Sequence, residues 1–162
     1  MNLLILDAGH AFDTKGKCNA KENFYEWEFN NDMQYKIKAR CEELGIKVFL
    51  TNPNPQSVSD IPLTTRANLA NDYWLRNSKP KSIFISLHAN SFSNESARGT
   101  ETYVAKNAST TSKNFAKVLN NEIVKAISDT LSGLGLVKNT FIPSSSHLAF
   151  ILYCISLLNS HS

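Results

Sequence analysis

His10 and His88 each close a short apolar run, "LLILDAGH" and "SIFISLH". An imidazole carried at the end of a buried strand is well placed to bind a metal. The same placement also serves as a plain strand cap, through hydrogen bonds to backbone groups. A hydrolytic zinc site takes three protein ligands from His, Glu, Asp or Cys and leaves a fourth position open for water. Two histidines therefore call for a carboxylate as third ligand.

The stretch "KENFYEWEFNND" offers Glu22, Glu26 and Glu28. From about Glu26 to Leu44 the apolar residues Phe29, Met33, Ile37, Cys41 and Leu44 recur at spacings of three and four, which predicts an amphipathic helix stopped by Gly45. At about 100° per residue, Glu26 falls beside Met33 on the face that Phe29, Ile37 and Leu44 also occupy, whereas Glu28 shares the opposite, solvated face with Asp32 and Lys36. Glu22 precedes the helix and its direction is open. A carboxylate on a buried face is unfavourable unless it is paired or bound to a metal. Glu26 is thus the candidate third ligand, and a buried ion pair with Arg66 or a lysine is its alternative. Asp7 is a candidate to accept a hydrogen bond from His10 and fix its tautomer, or else a turn or capping Asp. His147 and His161 read as solvated.

The elements that must position these groups follow from the pattern. Leu3–Leu6 and "SIFISLH" are near-continuous apolar runs, as expected of strands buried on both faces. "IKVFLT" and "GTETYVA" read as two further strands, and "NPNPQSVSD" as a loop. Leu63, Arg66, Ala67, Ala70 and Trp74 mark a second helix, with Thr64 or Asp60 as possible caps, and Phe115 to Leu131 a third. Strands alternating with helices predict an α/β fold in one domain, a twisted, mostly parallel central sheet flanked by helices. Sites in such sheets gather at the carboxyl ends of strands, where His10 and His88 both fall.

At 162 residues and 42% hydrophobic content, the chain has the size and composition of one globular domain. The net charge of +3 is spread along the sequence without a basic patch, so nucleic acid is not an expected partner. Cys18, Cys41 and Cys154 form no CxxC pair, and reduced thiols are expected. "LAFILYCISLL", Leu148 to Leu158, is shorter than the roughly 18 residues a membrane span needs. No secretory leader precedes the first strand, which makes a cytoplasmic protein later released to its site of action the expectation.

Taken together, "ILDAGH", "EWEFN", "GIKVFLT", "RANLAN", "FISLHAN" and "RGTETYV" resemble, in order and spacing, the zinc-dependent N-acetylmuramoyl-L-alanine amidases of the family 3 type, found in bacterial cell-wall hydrolases and phage endolysins. The resemblance runs from Met1 to about Leu131 and leaves 137–162 as a divergent tail. It implies that His10, Glu26 and His88 are zinc ligands, that Asn90 lies by the substrate groove, and that the substrate is the amide between N-acetylmuramic acid and L-alanine in peptidoglycan. A mildly cationic surface suits that anionic polymer. The setting implied is a phage or prophage lysin, or a mother-cell lytic enzyme.

The tail departs from the family. Amide hydrolysis needs a proton delivered to the leaving amine, and in the family a glutamate on a late strand does this. Here no Asp or Glu follows Asp129. Two substitutes offer themselves, His147 and Glu101. The other reading is a catalytically impaired module that still holds zinc and binds peptidoglycan. "LAFILYCISLL" is apolar enough for the last strand or for a short buried helix.

Overall fold

The computed structural model describes residues 3–20, 23–90, 99–133 and 149–155. In chain order the elements are β1 (Leu3–Ala8), β2 (Cys18–Asn19), β3 (Phe24–Tyr25), α1 (Glu26–Glu43), β4 (Lys47–Leu50), α2 (Leu63–Arg76), β5 (Ser82–Asn90), β6 (Gly99–Val104), α3 (Thr110–Gly133) and β7 (Ala149–Ile155). Five of the strands form one sheet in the order β4-β1-β5-β7-β6.

All six residues of β1 are buried, which requires cover on both faces, and alternate residues find it on opposite sides. Leu3 and Ile5 pack with Phe84 of β5 and with Ala70 and Trp74 of α2. Leu4 and Leu6 pack with Val48, Ile85 and Leu87, under Met33, Ile37 and Cys41 of α1 and Phe115 and Leu119 of α3. One helix thus covers one face and two cover the other. The predicted α/β class with a mostly parallel sheet is the fold observed: β1 runs parallel to β4 and β5, and β6 parallel to β7.

The apolar tail forms the strand of the two alternatives. β7 lies antiparallel to β5 and separates it from β6. A strand with neighbours on both sides has its backbone groups paired along both edges, and seven residues with no charge among them, "AFILYCI", suit that place. No helix among the described residues is long and apolar enough to cross a membrane.

Three local expectations are corrected. Leu44 does not extend the buried face of α1: it is the C-cap, 61% exposed, and the chain reverses at Gly45 with φ +73°. Neither Thr64 nor Asp60 caps α2, whose N-cap is Pro62 with no side-chain cap bond. The sequence pattern does not reveal the β2/β3 hairpin, because two residues per strand are too few to show an alternation.

Asp7 is wholly buried and meets Arg66, 6% exposed, across the α2 face of β1 at 2.6 Å. Ser86 donates to the same carboxylate oxygen at 2.6 Å, and Thr51 donates to the other at 2.5 Å. These four residues tie β1, β5, α2 and the exit of β4 at one point. Asp7→Ala leaves the guanidinium buried without its partner and is expected to destabilise the fold by about 3–5 kcal/mol. Urea unfolding against the parent chain measures the loss.

Candidate metal centre

The site is built where β1 leaves the sheet. The Gly9 amide still donates to Leu87 O at 3.0 Å, so the chain stays against β5 for one residue more. There the His88 ring lies against it: a Cβ on Gly9 would sit 2.1 Å from His88 Cε1. Only glycine allows that approach. His10 follows at φ +67°, a left-handed conformation that costs a non-glycine residue roughly 1–2 kcal/mol.

Buried amides hold that turn. Asn52 Nδ2 donates to Ala8 O at 2.9 Å and to His10 O at 3.0 Å, and Asn30 Nδ2 donates to Gly9 O at 3.0 Å. Gln34 Nε2 in turn donates to Asn52 O at 2.8 Å. Asn30 and Gln34 stand on α1 at successive four-residue steps from Glu26, and all three of these α1 residues are buried. One helix face therefore both holds the turn that carries His10 and supplies the carboxylate.

Glu26 Oε1 lies 3.0 Å from His88 Nδ1 and 3.5 Å from His10 Nε2, and one ligand atom from each residue falls within 4.8 Å of the other two. Bond lengths of about 2.0–2.2 Å at tetrahedral angles separate ligand atoms by about 3.3 Å, so two of the spacings are those one small cation would impose. The imidazoles meet edge to face with centroids 4.9 Å apart. Side-chain exposures of 17% for each histidine and 9% for Glu26 leave the cluster partly open. Nitrogen, carboxylate oxygen and nitrogen in a partly exposed cluster is a donor set that fits zinc.

Burial pushes the His10 pKa below the ordinary 6.5. Glu26 and Asp60 oppose that shift, while His88 and Lys17 add to it. The neutral ring is the form that can bind a metal.

The structure brings His10, Glu26 and His88 together and leaves Glu28 exposed. It does not bring Asp7 to His10. The strand alternation turns that carboxylate toward Arg66, which is also why Arg66 is not the partner of Glu26. Asn90 ends β5 two residues beyond His88, its backbone in register with Ala149. Glu101 is exposed on β6 and accepts a hydrogen bond from Tyr103 Oη at 2.7 Å. Glu22, His147 and His161 lie outside the described residues. One group near the cluster escapes sequence reasoning. Asp60 Oδ2 stands 3.5 Å from His10 Nδ1, and an acidic residue in a Pro, Asn and Ser loop carries no signal of such a contact.

The sheet brings His10, just past β1, and His88, near the end of β5, to Glu26 at the start of α1, in an α/β fold. The sequence matches the N-acetylmuramoyl-L-alanine amidase family over residues 4–152, and the chain belongs to that family of peptidoglycan amidases. Among solved structures, the fold is similar to the catalytic domain of CwlV, an N-acetylmuramoyl-L-alanine amidase from Bacillus (Paenibacillus) polymyxa var. colistinus, at 24% identity and TM-score 0.62, covering 96% of this chain and 81% of that one. The CwlD amidase of Clostridioides difficile, solved in complex with the GerS lipoprotein, gives 23% identity and TM-score 0.62 over 95% and 82%. For AmiC2 of Nostoc punctiforme the values are 21% and 0.59 over 93% and 77%. A search of curated proteins finds no match.

Two outcomes are expected. Gly9→Ala forces its methyl group into the His88 ring, so the variant should fold yet retain less than a tenth of the parent's zinc after dialysis, read by metal analysis. Because the fold favours neutral His10, the unfolded chain binds more protons than the folded one just below 6.5. The stability of the metal-free chain therefore falls as pH drops through that window, and the midpoint of urea unfolding should fall less steeply in His10→Ala.

Proposed function

We propose that the chain hydrolyses the amide between N-acetylmuramic acid and L-alanine in peptidoglycan, with zinc held by His10, Glu26 and His88. The observation that carries this reading is the convergence of those three side chains on one partly open point, in a member of the amidase family. Zinc held there would polarise the scissile carbonyl and bring the pKa of a bound water to about 7.

The chain's own residues then have separable tasks. His10 Nε2 and His88 Nδ1, 3.5 and 3.0 Å from Glu26 Oε1, are the ring nitrogens that would turn lone pairs to the ion. Glu26 contributes a negative charge that offsets part of the ion's charge in a site where both would otherwise be poorly solvated. Asn30, Gln34 and Asn52 fix the backbone that carries His10. Gly9 keeps the His88 ring in place by having no side chain.

A second reading is favoured by one specific observation: the absence of any Asp or Glu after Asp129. On that reading the chain holds zinc and binds peptidoglycan with turnover impaired, for want of an acid beside the leaving amine. Glu101 is a poor substitute, since it is exposed and engaged by Tyr103.

Turnover by the zinc-loaded chain on purified peptidoglycan, scored by mass spectrometry for freed L-alanine amino termini, separates the two. Release at least tenfold above a His10→Ala blank is expected. Release at the blank level by a chain that retains one zinc and sediments with the polymer would instead establish the impaired module.

A further inference from the structure

The backbone that carries His10 is fixed by amides, but backbone fixation leaves the imidazole free to present either nitrogen. In the structure Nε2 faces Glu26 and Nδ1 faces Asp60, each at 3.5 Å from a carboxylate oxygen. We propose that Asp60 is a positioning residue for the metal centre, holding His10 as the Nδ1–H tautomer so that the Nε2 lone pair is directed at the ion. This rests on the zinc reading above.

Asp60 is itself held in place. Thr14 Oγ1 accepts from the Ala11 amide at 3.0 Å, so its own proton is free to go to Asp60 Oδ2, 2.7 Å away. That oxygen is the one facing His10 Nδ1. The Asp60 amide donates to Asp13 Oδ1 at 3.0 Å, and the Phe12 amide donates to Pro55 O at 2.9 Å. The loop after His10 and the loop before α2 are thereby latched on both sides of the imidazole. Asp7, the acidic residue within β1, is committed to Arg66, Ser86 and Thr51.

The Asp60 side chain is 32% exposed, so solvent screens its charge and its effect is on orientation more than on raw electrostatics. A carboxylate on the far nitrogen of a metal-binding histidine fixes tautomer and ring direction, and its loss typically lowers metal affinity about 10–100-fold. The same contact accounts for a loop acid that caps no helix.

The test is zinc affinity by competition with a chromogenic chelator, together with the 15N shifts of the His10 ring, for the parent chain and for Asp60→Ala, Asp60→Asn and Thr14→Val. Asp60→Ala is expected to bind zinc about 10–100-fold more weakly and to lose the single Nδ1–H signature of His10. Asp60→Asn retains an acceptor oxygen and should recover part of both. Thr14→Val leaves Asp60 present but unheld, and should shift both readouts in the direction of Asp60→Ala. A parent chain that binds zinc, with Asp60→Ala and Thr14→Val matching it in affinity and ring shifts, overturns this proposal alone. A parent chain that binds no more zinc than His10→Ala overturns the metal centre and this proposal with it.

Discussion

The exit of β1 is the constraint on which the site depends. A strand buried on both faces must end, turn within one residue, and deliver an imidazole in a left-handed backbone conformation. None of this is locally favourable. It is held because α1 sets Asn30 against the turn and Gln34 against Asn52, and because Asn52 reaches in from beyond β4. Three buried amides are an unfavourable way to pack an interface unless their donors are satisfied. Asn30 and Asn52 donate to the backbone of Ala8, Gly9 and His10, and Gln34 donates to Asn52 O, so much of the polarity of the interface goes into holding the first histidine.

The Asp7 cluster complements this turn from inside the strand. It fixes where β1 stops moving with the sheet, through an ion pair that joins the strand to α2 and hydrogen bonds that join it to β5 and to the residue after β4. A buried ion pair adds little net stability over an apolar pair of the same volume, but breaking it is severe. With Asp7 fixed, Gly9 falls against His88 and His10 falls beside Glu26.

Much of this is legible in the sequence and some of it is not, for physical reasons. Continuous apolar runs are read easily, so β1, β4 and β5 stand where the pattern puts them. Helical periodicity places Glu26 on the inner face of α1, because that argument needs only an angle per residue. Asp7 goes to a different neighbour from the one its position suggests, since choosing between an imidazole in the next turn and a guanidinium more than fifty residues on requires knowing which face of β1 is covered by α2. Asp60 illustrates the opposite limit. Loop residues have no period, and the hydroxyl that orients Asp60 is itself oriented by a backbone amide in another loop.

β7 poses the chemical question that the rest of the fold leaves behind. It pairs directly with β5, with Ile151 in register with His88 on one side and with Glu101 on the other. A carboxylate on a strand beside the metal-bearing strand is well placed to move a proton to a departing amine, and β7 holds that station in the sheet with seven residues of which none is acidic. The His, Glu and His cluster needs no acid from β7 for its assembly. Among the described residues the cluster is built from the turn after β1, from α1 and from β5.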